Sequence, residues 1–330
     1  MTAIPFSATA IAHPNIAFVK YWGNRDIKLR LPASSSLSMN LAGLHTRTTV
    51  QFDPSLQTDT LLINGEAPPQ DQQHRVSEFL NLVRNMAKIR TKARVSSEND
   101  FPNGAGIASS SSAFAALALA ASAAAGLRLD ERGLSTLARR GSGSAARSIP
   151  SGFVVWQAAD QDRNSYGVSI APPEHWGLAD CIAIVSEEHK AVGSAEGHKL
   201  AATSPLQAAR LAGAVQRLEL CRKAILDRDF SGFADLVELD CHLMHAVMMT
   251  SRPPLHYWMP ASLAIMAAVR DWRKAGLSVC YTLDAGPNVH VLCTDREAET
   301  VAAHLEKIPG VIRVLRANPG GPARLVNEPG

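Results

Sequence analysis

The chain has 330 residues, 46% apolar and 19% charged, enough for the cores of roughly two globular domains and too apolar for a disordered chain. Thirty-three basic residues against 30 acidic ones leave a formal charge of +3, and no dense Lys/Arg tract is present, which argues against a nucleic-acid partner. Five scattered cysteines without CxxC spacing argue against a zinc ribbon or a disulfide scaffold and fit free thiols in a reducing cytoplasm. The opening MTAIPFSATAIAHPNIAF lacks a basic leader and a sustained apolar core. The apolar run near 113–127 is mostly alanine, stops at Arg128 and is shorter than the ~20 residues of a membrane span, so no membrane partner and a cytoplasmic location are expected.

The first motif is NIAFVKYWGNRD at 15–26, where Lys20 stands in an apolar run beside Tyr21 and Trp22. A cation there needs an anionic partner, or else it snorkels from an edge strand. β-Branched segments at 46–52 and 60–63 predict strands, with a turn at 64–66. Residues 72–90 carry helical spacing, and Val95 to Glu98 a short strand.

FPNGAGIASSSSAF at 101–114 follows, and its residues suit an anion: Gly104 and Gly106 allow close backbone approach and Ser109 to Ser112 offer hydroxyls. The alanine-rich stretch after it predicts a helix whose N-terminus would attract phosphate. The alternative is a capped, buried helix. The pattern is neither GxxxxGK[ST] nor GxGxxG, which disfavours P-loop and Rossmann proteins.

A helix near 130–140 leads into ARRGSGSAARS at 138–148, where Ser142, Ser144 and Arg147 crowd together, as suits bidentate capture of carboxylate or phosphate, or an exposed loop. Strands are predicted at 152–157 and 182–186, with a domain boundary near 180 after two polar, loop-rich stretches. Helices are predicted over 204–229, 231–248 and 259–275. The second of these carries Cys241, His242 and His245 within about one turn, but with no fourth ligand evident the helix simply passing through is the better reading than zinc. Strand-like pieces close the chain at 278–282, 289–293 and 311–315. In YTLDAGPN, Asp284 ends a strand, as a turn residue or as a general base that orients a hydroxyl. The mixed element order favours α+β over a doubly wound sheet.

Together NIAFVKYWGNRD, LPASSSLSMNL, ENDFPNGAGIASSSSAF, ARRGSGSAARS, AVGSAEG, YTLDAGPN and the closing NPGGPA resemble, in this order and over nearly the whole chain, the mevalonate-pathway decarboxylases of the GHMP kinase superfamily. The resemblance implies a two-domain α+β fold: a GHMP-type ATP-binding domain over 1–180, a ferredoxin-like C-terminal domain over 181–330 and an active site in the cleft between. It also implies ATP and Mg²⁺, the metal carried with ATP rather than held by the protein, and a homodimer.

By the same resemblance Asp284, Lys20 and Arg147 are catalytic. Asp284 engages the 3-hydroxyl of a 5-phosphorylated mevalonate, Lys20 supports the aspartate and the moving phosphoryl group, and Arg147 holds the carboxylate. Tyr21, Asn24, Ser142, Ser144 and Ser194 bind substrate. Gly104, Ala105, Gly106, Ser109, Ser110, Ser111 and Lys190 bind ATP. Decarboxylases of the diphosphate substrate usually read KYWGK, and this chain has Asn24 at the second lysine. The expected reaction is therefore decarboxylation of 5-phosphomevalonate to isopentenyl phosphate. The alternatives are the diphosphate substrate, with Asn24, Arg75 or Lys190 meeting the second phosphate, a 3-kinase without decarboxylation, and a phosphate-binding module without activity.

Overall fold

The computed structural model describes residues 6–101, 109–188 and 192–326. Strands β1 (Ser7–Ala12) and β2 (Asn15–Val19) precede a short hairpin of β3 (Asn24–Asp26) and β4 (Leu31–Pro32), then β5 (Ser36–Ala42), β6 (Thr46–Asp53) and β7 (Thr60–Ile63). Next come α1 (Gln70–Ala87), β8 (Lys92–Asn99), α2 (Ser109–Ala124), α3 (Glu131–Gly141), a 3-10 helix over Gly143–Ser148, β9 (Phe153–Trp156), β10 (Gly167–Ala171) and β11 (Leu178–Ile184). Helices α4 (Ser194–Leu200), α5 (Gln207–Ala212), α6 (Ala214–Asp227), α7 (Phe230–Met249) and α8 (Pro260–Lys274) lead to β12 (Val279–Thr282), β13 (Val289–Thr294), α9 (Ala298–Leu305), β14 (Arg313–Pro319) and β15 (Arg324–Val326).

Period-two alternation builds the first sheet, ordered β15-β1-β6-β8-β7. Thr46, Thr48, Val50 and Phe52 of β6 and Ala93, Val95 and Ser97 of β8 turn inward, their neighbours outward. Phe79, Leu80 and Val83 of α1 join this core, Phe79 meeting Phe114 edge-on at 5.4 Å. Helix α2 is apolar nearly all round, and its alanines let it sink fully into the core. Near its N-terminal end Ser112 finds partners in Thr46 Oγ1 (2.7 Å) and the Ser109 carbonyl (3.2 Å).

The second sheet runs β10-β9-β5-β14-β11-β13-β12, with β2 also paired to β5. Strands β11 to β14 lie in the order β14-β11-β13-β12, a ferredoxin-like βαββαβ arrangement in which α9 links β13 to β14. Register pairs Asn318↔Ala42 and Pro319↔Leu41 join it to β5, and β15 returns to pair with β1. The core here centres on Phe18, Phe153, Trp176 and Phe233, with Phe18 and Phe233 edge-to-face at 4.8 Å. Nearly all pairings are antiparallel, as an α+β fold requires. Among the described residues no helix is long and apolar enough to cross a membrane.

Two differences from the sequence reading have physical causes. The helix predicted over 204–229 divides at Gly213, where an added Cβ would lie 2.5 Å from the Arg217 guanidinium. The break lets Arg210 and Arg217 both turn toward the fully buried Asp240. The sequence reading predicts no strand at β1, β3, β4, β5, β10 or β15, because these segments are short or rich in residues of little β-propensity, and their pairing is decided by neighbours. On α7, Cys241 packs against Leu283, His242 Nε2 lies 2.9 Å from the Tyr281 hydroxyl and His245 stacks near Trp258 at 4.9 Å, so all three engage protein.

Candidate active site

Strand β2 ends at Val19, and the next residue, Lys20, is 1% exposed. Its ammonium lies 2.6 Å from Asp284 Oδ1, on the turn that follows β12. The apolar run is thus reconciled with a cation by a partner far along the chain, not by snorkelling. Burial alone would raise the Asp284 pKa. The Lys20 ammonium, with His290 and Arg147 at longer range, outweighs it and holds the carboxyl below its usual range. The Asp284 side chain keeps 26% exposure, which is the part open to a cavity.

The backbone of this segment is held from the opposite side. The Lys20 N–H donates to Asp240 Oδ1 at 2.7 Å, and Arg210 Nη2 donates to the Lys20 carbonyl at 2.7 Å. Gln207 donates to the Trp22 carbonyl at 3.0 Å, and Arg217 Nε closes the network on Asp240 Oδ2 at 2.8 Å.

Arg147, from the 3-10 helix, is 3% exposed. Its Nε donates to Asn15 Oδ1 (3.2 Å), its Nη1 to Ser36 Oγ (2.6 Å), and its guanidinium stands 6.0 Å from the Trp156 ring centre. Asn15 is oriented in turn by donating to Ser148 Oγ (2.7 Å) and the Ser144 carbonyl (3.2 Å). Among the described residues both side-chain hydrogen-bond partners of Arg147 are neutral, and burial pulls its pKa down to about 10, a lowering that Asp284 and Tyr21 oppose. A buried guanidinium without a carboxylate partner is set to receive one.

Tyr21 is packed by Trp156 and His198, and its hydroxyl donates to Asn24 Oδ1. Burial pushes its pKa up to about 12, so it remains a phenol. Gly143 is required beside it, since an added Cβ would lie 2.6 Å from the Tyr21 ring.

Two cavities adjoin. The smaller, about 80 Å³, is lined by Lys20, Tyr21, Ser144, Arg147, His198 and Asp284. The larger, about 590 Å³, lies between α1, α2 and β6–β8, with Arg75, Ser97, Asn99 and Ser109 on its walls. Ser110, in the first turn of α2, and Ser194, at the start of α4, line both. Ser110 Oγ is 3.1 Å from Ser142 Oγ, and Ser142 is 3.5 Å from Ser144 Oγ, so hydroxyls run from one cavity toward the other.

The structure therefore brings Lys20, Tyr21, Ser144, Arg147, Ser194 and Asp284 to one cavity, with Ser142 adjacent and Ser109 and Ser110 on the larger one. Asn24 does not line the small cavity, and its Oδ1 accepts from the Tyr21 hydroxyl, which does. Ser111 is fully buried in α2 and lines neither. Gly104, Ala105, Gly106 and Lys190 lie outside the described residues. Sequence reasoning passed over Asn15, Ser36, His198 and Asp240. Only Asn15 carried a signal, as a polar residue opening an apolar strand.

A carboxylate paired with a buried ammonium, facing an uncommitted guanidinium and next to a hydroxyl-lined second cavity, can hold a hydroxy acid and accept a group from a neighbour. Residues 12–167 match the model of the diphosphomevalonate decarboxylase-like N-terminal domain, and 181–315 that of the mevalonate 5-diphosphate decarboxylase C-terminal domain. With the two-domain α+β fold, these matches define a member of the GHMP kinase superfamily. The chain belongs to the diphosphomevalonate decarboxylase family, whose members are ATP-dependent carboxy-lyases.

It is 38% identical over 326 residues to the diphosphomevalonate decarboxylase of Candida albicans, covering 92% of this chain and 90% of that one. It is 33% identical over 323 residues to the phosphomevalonate decarboxylase of Haloferax volcanii, covering 97% and 98%. A solved structure described as a complex with MVAPP, AMPPCP and magnesium superposes with a TM-score of 0.92 at 38% identity, covering 98% of this chain and 99% of that one.

Proposed function

We propose that this chain converts 5-phosphomevalonate to isopentenyl phosphate, consuming ATP and releasing ADP, phosphate and CO₂. The observation that carries the reading is the Lys20–Asp284 ion pair facing Arg147 across one small cavity that meets a larger one at Ser110 and Ser194. The monophosphate is favoured by Asn24, which stands where diphosphate enzymes usually carry a second lysine. The Haloferax volcanii relative, named for the monophosphate substrate, supports the same choice.

The larger cavity suits ATP: the N-terminal turn of α2 opens onto it with Ser109 and Ser110, and Arg75 stands on its wall. The solved relative bound to AMPPCP and magnesium supports this use. Mg²⁺ carried with the nucleotide supplies charge neutralisation for phosphoryl transfer.

In this reading Arg147 pairs with the substrate carboxylate and fixes its orientation while the pocket excludes water. Asp284 accepts the hydrogen bond, and then the proton, of the 3-hydroxyl as its oxygen takes the γ-phosphoryl group. Lys20 keeps Asp284 ionised and offers positive charge where the transferred group gathers negative charge. The C3–O bond then breaks, phosphate leaves, and the electrons of the carboxylate–carbon bond form the new double bond as CO₂ departs. Positioning supplies much of the acceleration, because the partners come from three distant chain segments already held in place.

The test is a paired ATP-dependent CO₂-release assay on 5-phosphomevalonate and 5-diphosphomevalonate. The expected result is the higher kcat/KM for the monophosphate. A strong preference for the diphosphate overturns that choice and favours the second reading, which the Candida albicans relative supports. ATP consumption with a stable 3-phosphate and no CO₂ would establish a kinase instead. The five free, buried cysteines support a reducing, cytoplasmic setting, and a homodimer belongs to the same reading by family likeness.

A further inference from the structure

His198 stands on α4 and lines the small cavity, and nothing in the sequence motifs singles it out. Its ring is stacked on Tyr21 with centroids 4.0 Å apart and tilted against Trp22 at 4.6 Å, so its plane is fixed by two aromatic neighbours. The backbone N–H of Gly23 donates to its Nδ1 at 3.0 Å. An imidazole that accepts at Nδ1 carries its proton on Nε2 when neutral. Burial, then Arg30, Arg210 and Arg147, push its pKa down to about 3, so the neutral form prevails at physiological pH. No hydrogen-bond partner for Nε2 is found among the described residues, and the residue lines the cavity with Lys20, Arg147 and Asp284.

A fixed neutral donor in a field of arginines calls for an anion. In the decarboxylase reading Arg147 takes the carboxylate, and Lys20 serves Asp284 and the transferred phosphoryl group, which leaves the substrate's 5-phosphate. Arg30, on the turn between β3 and β4, lends the same region positive potential, and its Nε is tied to the Arg140 carbonyl at 3.0 Å.

We propose that His198 Nε2–H donates a hydrogen bond to the 5-phosphoryl group of the substrate, making His198 a specificity-determining residue for the phosphorylated acid. This rests on the decarboxylase reading above but not on the number of phosphates. A neutral donor supplies an oriented hydrogen bond without adding charge, so it complements a monophosphate without the pull toward further anionic charge that a lysine exerts.

The experiment uses His198→Gln and His198→Asn in the full chain, with kcat and KM for 5-phosphomevalonate and for ATP, and thermal unfolding as a control for folding. Glutamine can place a donor near the Nε2 position and loses the acceptor for Gly23. Asparagine keeps an acceptor near Nδ1 and cannot reach with a donor. The expected result is a KM for 5-phosphomevalonate raised about tenfold or more in His198→Asn, a smaller rise in His198→Gln, and an unchanged KM for ATP in both. The reverse order, with asparagine retaining more activity than glutamine, would mean that His198 serves only to anchor Gly23, and unchanged substrate KM in both would likewise overturn the proposal. Wild-type turnover of the two phosphorylated substrates, measured alongside, reports on the choice of substrate separately. If the diphosphate is preferred, the same pair of variants is read on that substrate.

Discussion

The ammonium of Lys20 lies 2.6 Å from the carboxylate of Asp284, although 264 positions separate them in the chain. One residue is 1% exposed and the other opens onto the cavity, so the pair presents a carboxylate whose charge is already balanced on its inner side. Removing either partner leaves the other buried without compensation.

Asp284→Asn should lower kcat for ATP-dependent CO₂ release by about 10²–10⁴-fold, the range for loss of a positioned general base. Lys20→Met should act in the same direction. Single-turnover measurement with saturating ATP checks this, and activity equal to wild type in Asp284→Asn would assign the proton to another group.

Asn24→Lys adds a cation beside Tyr21 and should shift preference toward 5-diphosphomevalonate. A charge-assisted contact of about 1.5–3 kcal/mol corresponds to one or two decades in relative kcat/KM. Unchanged selectivity would mean that position 24 does not count phosphates.

Asp240 is fully buried and gathers the Lys20 N–H, Arg210 and Arg217. Asp240→Asn preserves its shape but strips two buried guanidinium groups of their countercharge. The expected cost is about 3–5 kcal/mol in chemical denaturation, with kcat falling as Lys20 loses its backbone anchor. A loss below about 1 kcal/mol would show that solvent reaches the cluster.

Stability should fall on mild acidification, and His245 is one identifiable cause. Burial, and next the Lys20 charge, push its pKa down to about 3, whereas the unfolded chain titrates near the ordinary value of about 6.5. Between these values the unfolded state binds the proton and the folded state does not, so stability rises with pH at up to about 1.4 kcal/mol per unit for this group. Asp59 and Asp284, whose folded pKa values are lowered, contribute stability that is lost only at more acidic pH. Denaturation midpoints between pH 7 and 5 should therefore slope less steeply in His245→Gln than in the wild type.

Much of the site was legible because its chemistry is local in sequence. Lys20 in an apolar run, serines before an alanine helix, Arg147 amid hydroxyls and Asp284 at a strand end each violate the expected pattern for a core or a turn, and such violations mark where charge is needed. Asp240 and His198 violate nothing nearby: an acid on an amphipathic helix and a histidine beside a lysine in a short polar helix read as ordinary surface residues. Their environments are assembled by α5, α6 and the segment after β2, which no window of a dozen residues contains. The division at Gly213 is invisible in sequence for the same reason, since one glycine in a helical pattern is tolerated unless distant charge favours the break.

Residue order and periodicity by themselves determined the α+β class, most of the elements and the chemical character of each motif, because these depend on neighbours two to four positions away. Only tertiary packing decided that an ammonium, a guanidinium and a carboxylate from three remote segments share one cavity, and that the Lys20 backbone is gripped from behind by Asp240 and Arg210. Coulombic attraction and burial act through space, so which groups balance one another is known only once the chain has folded.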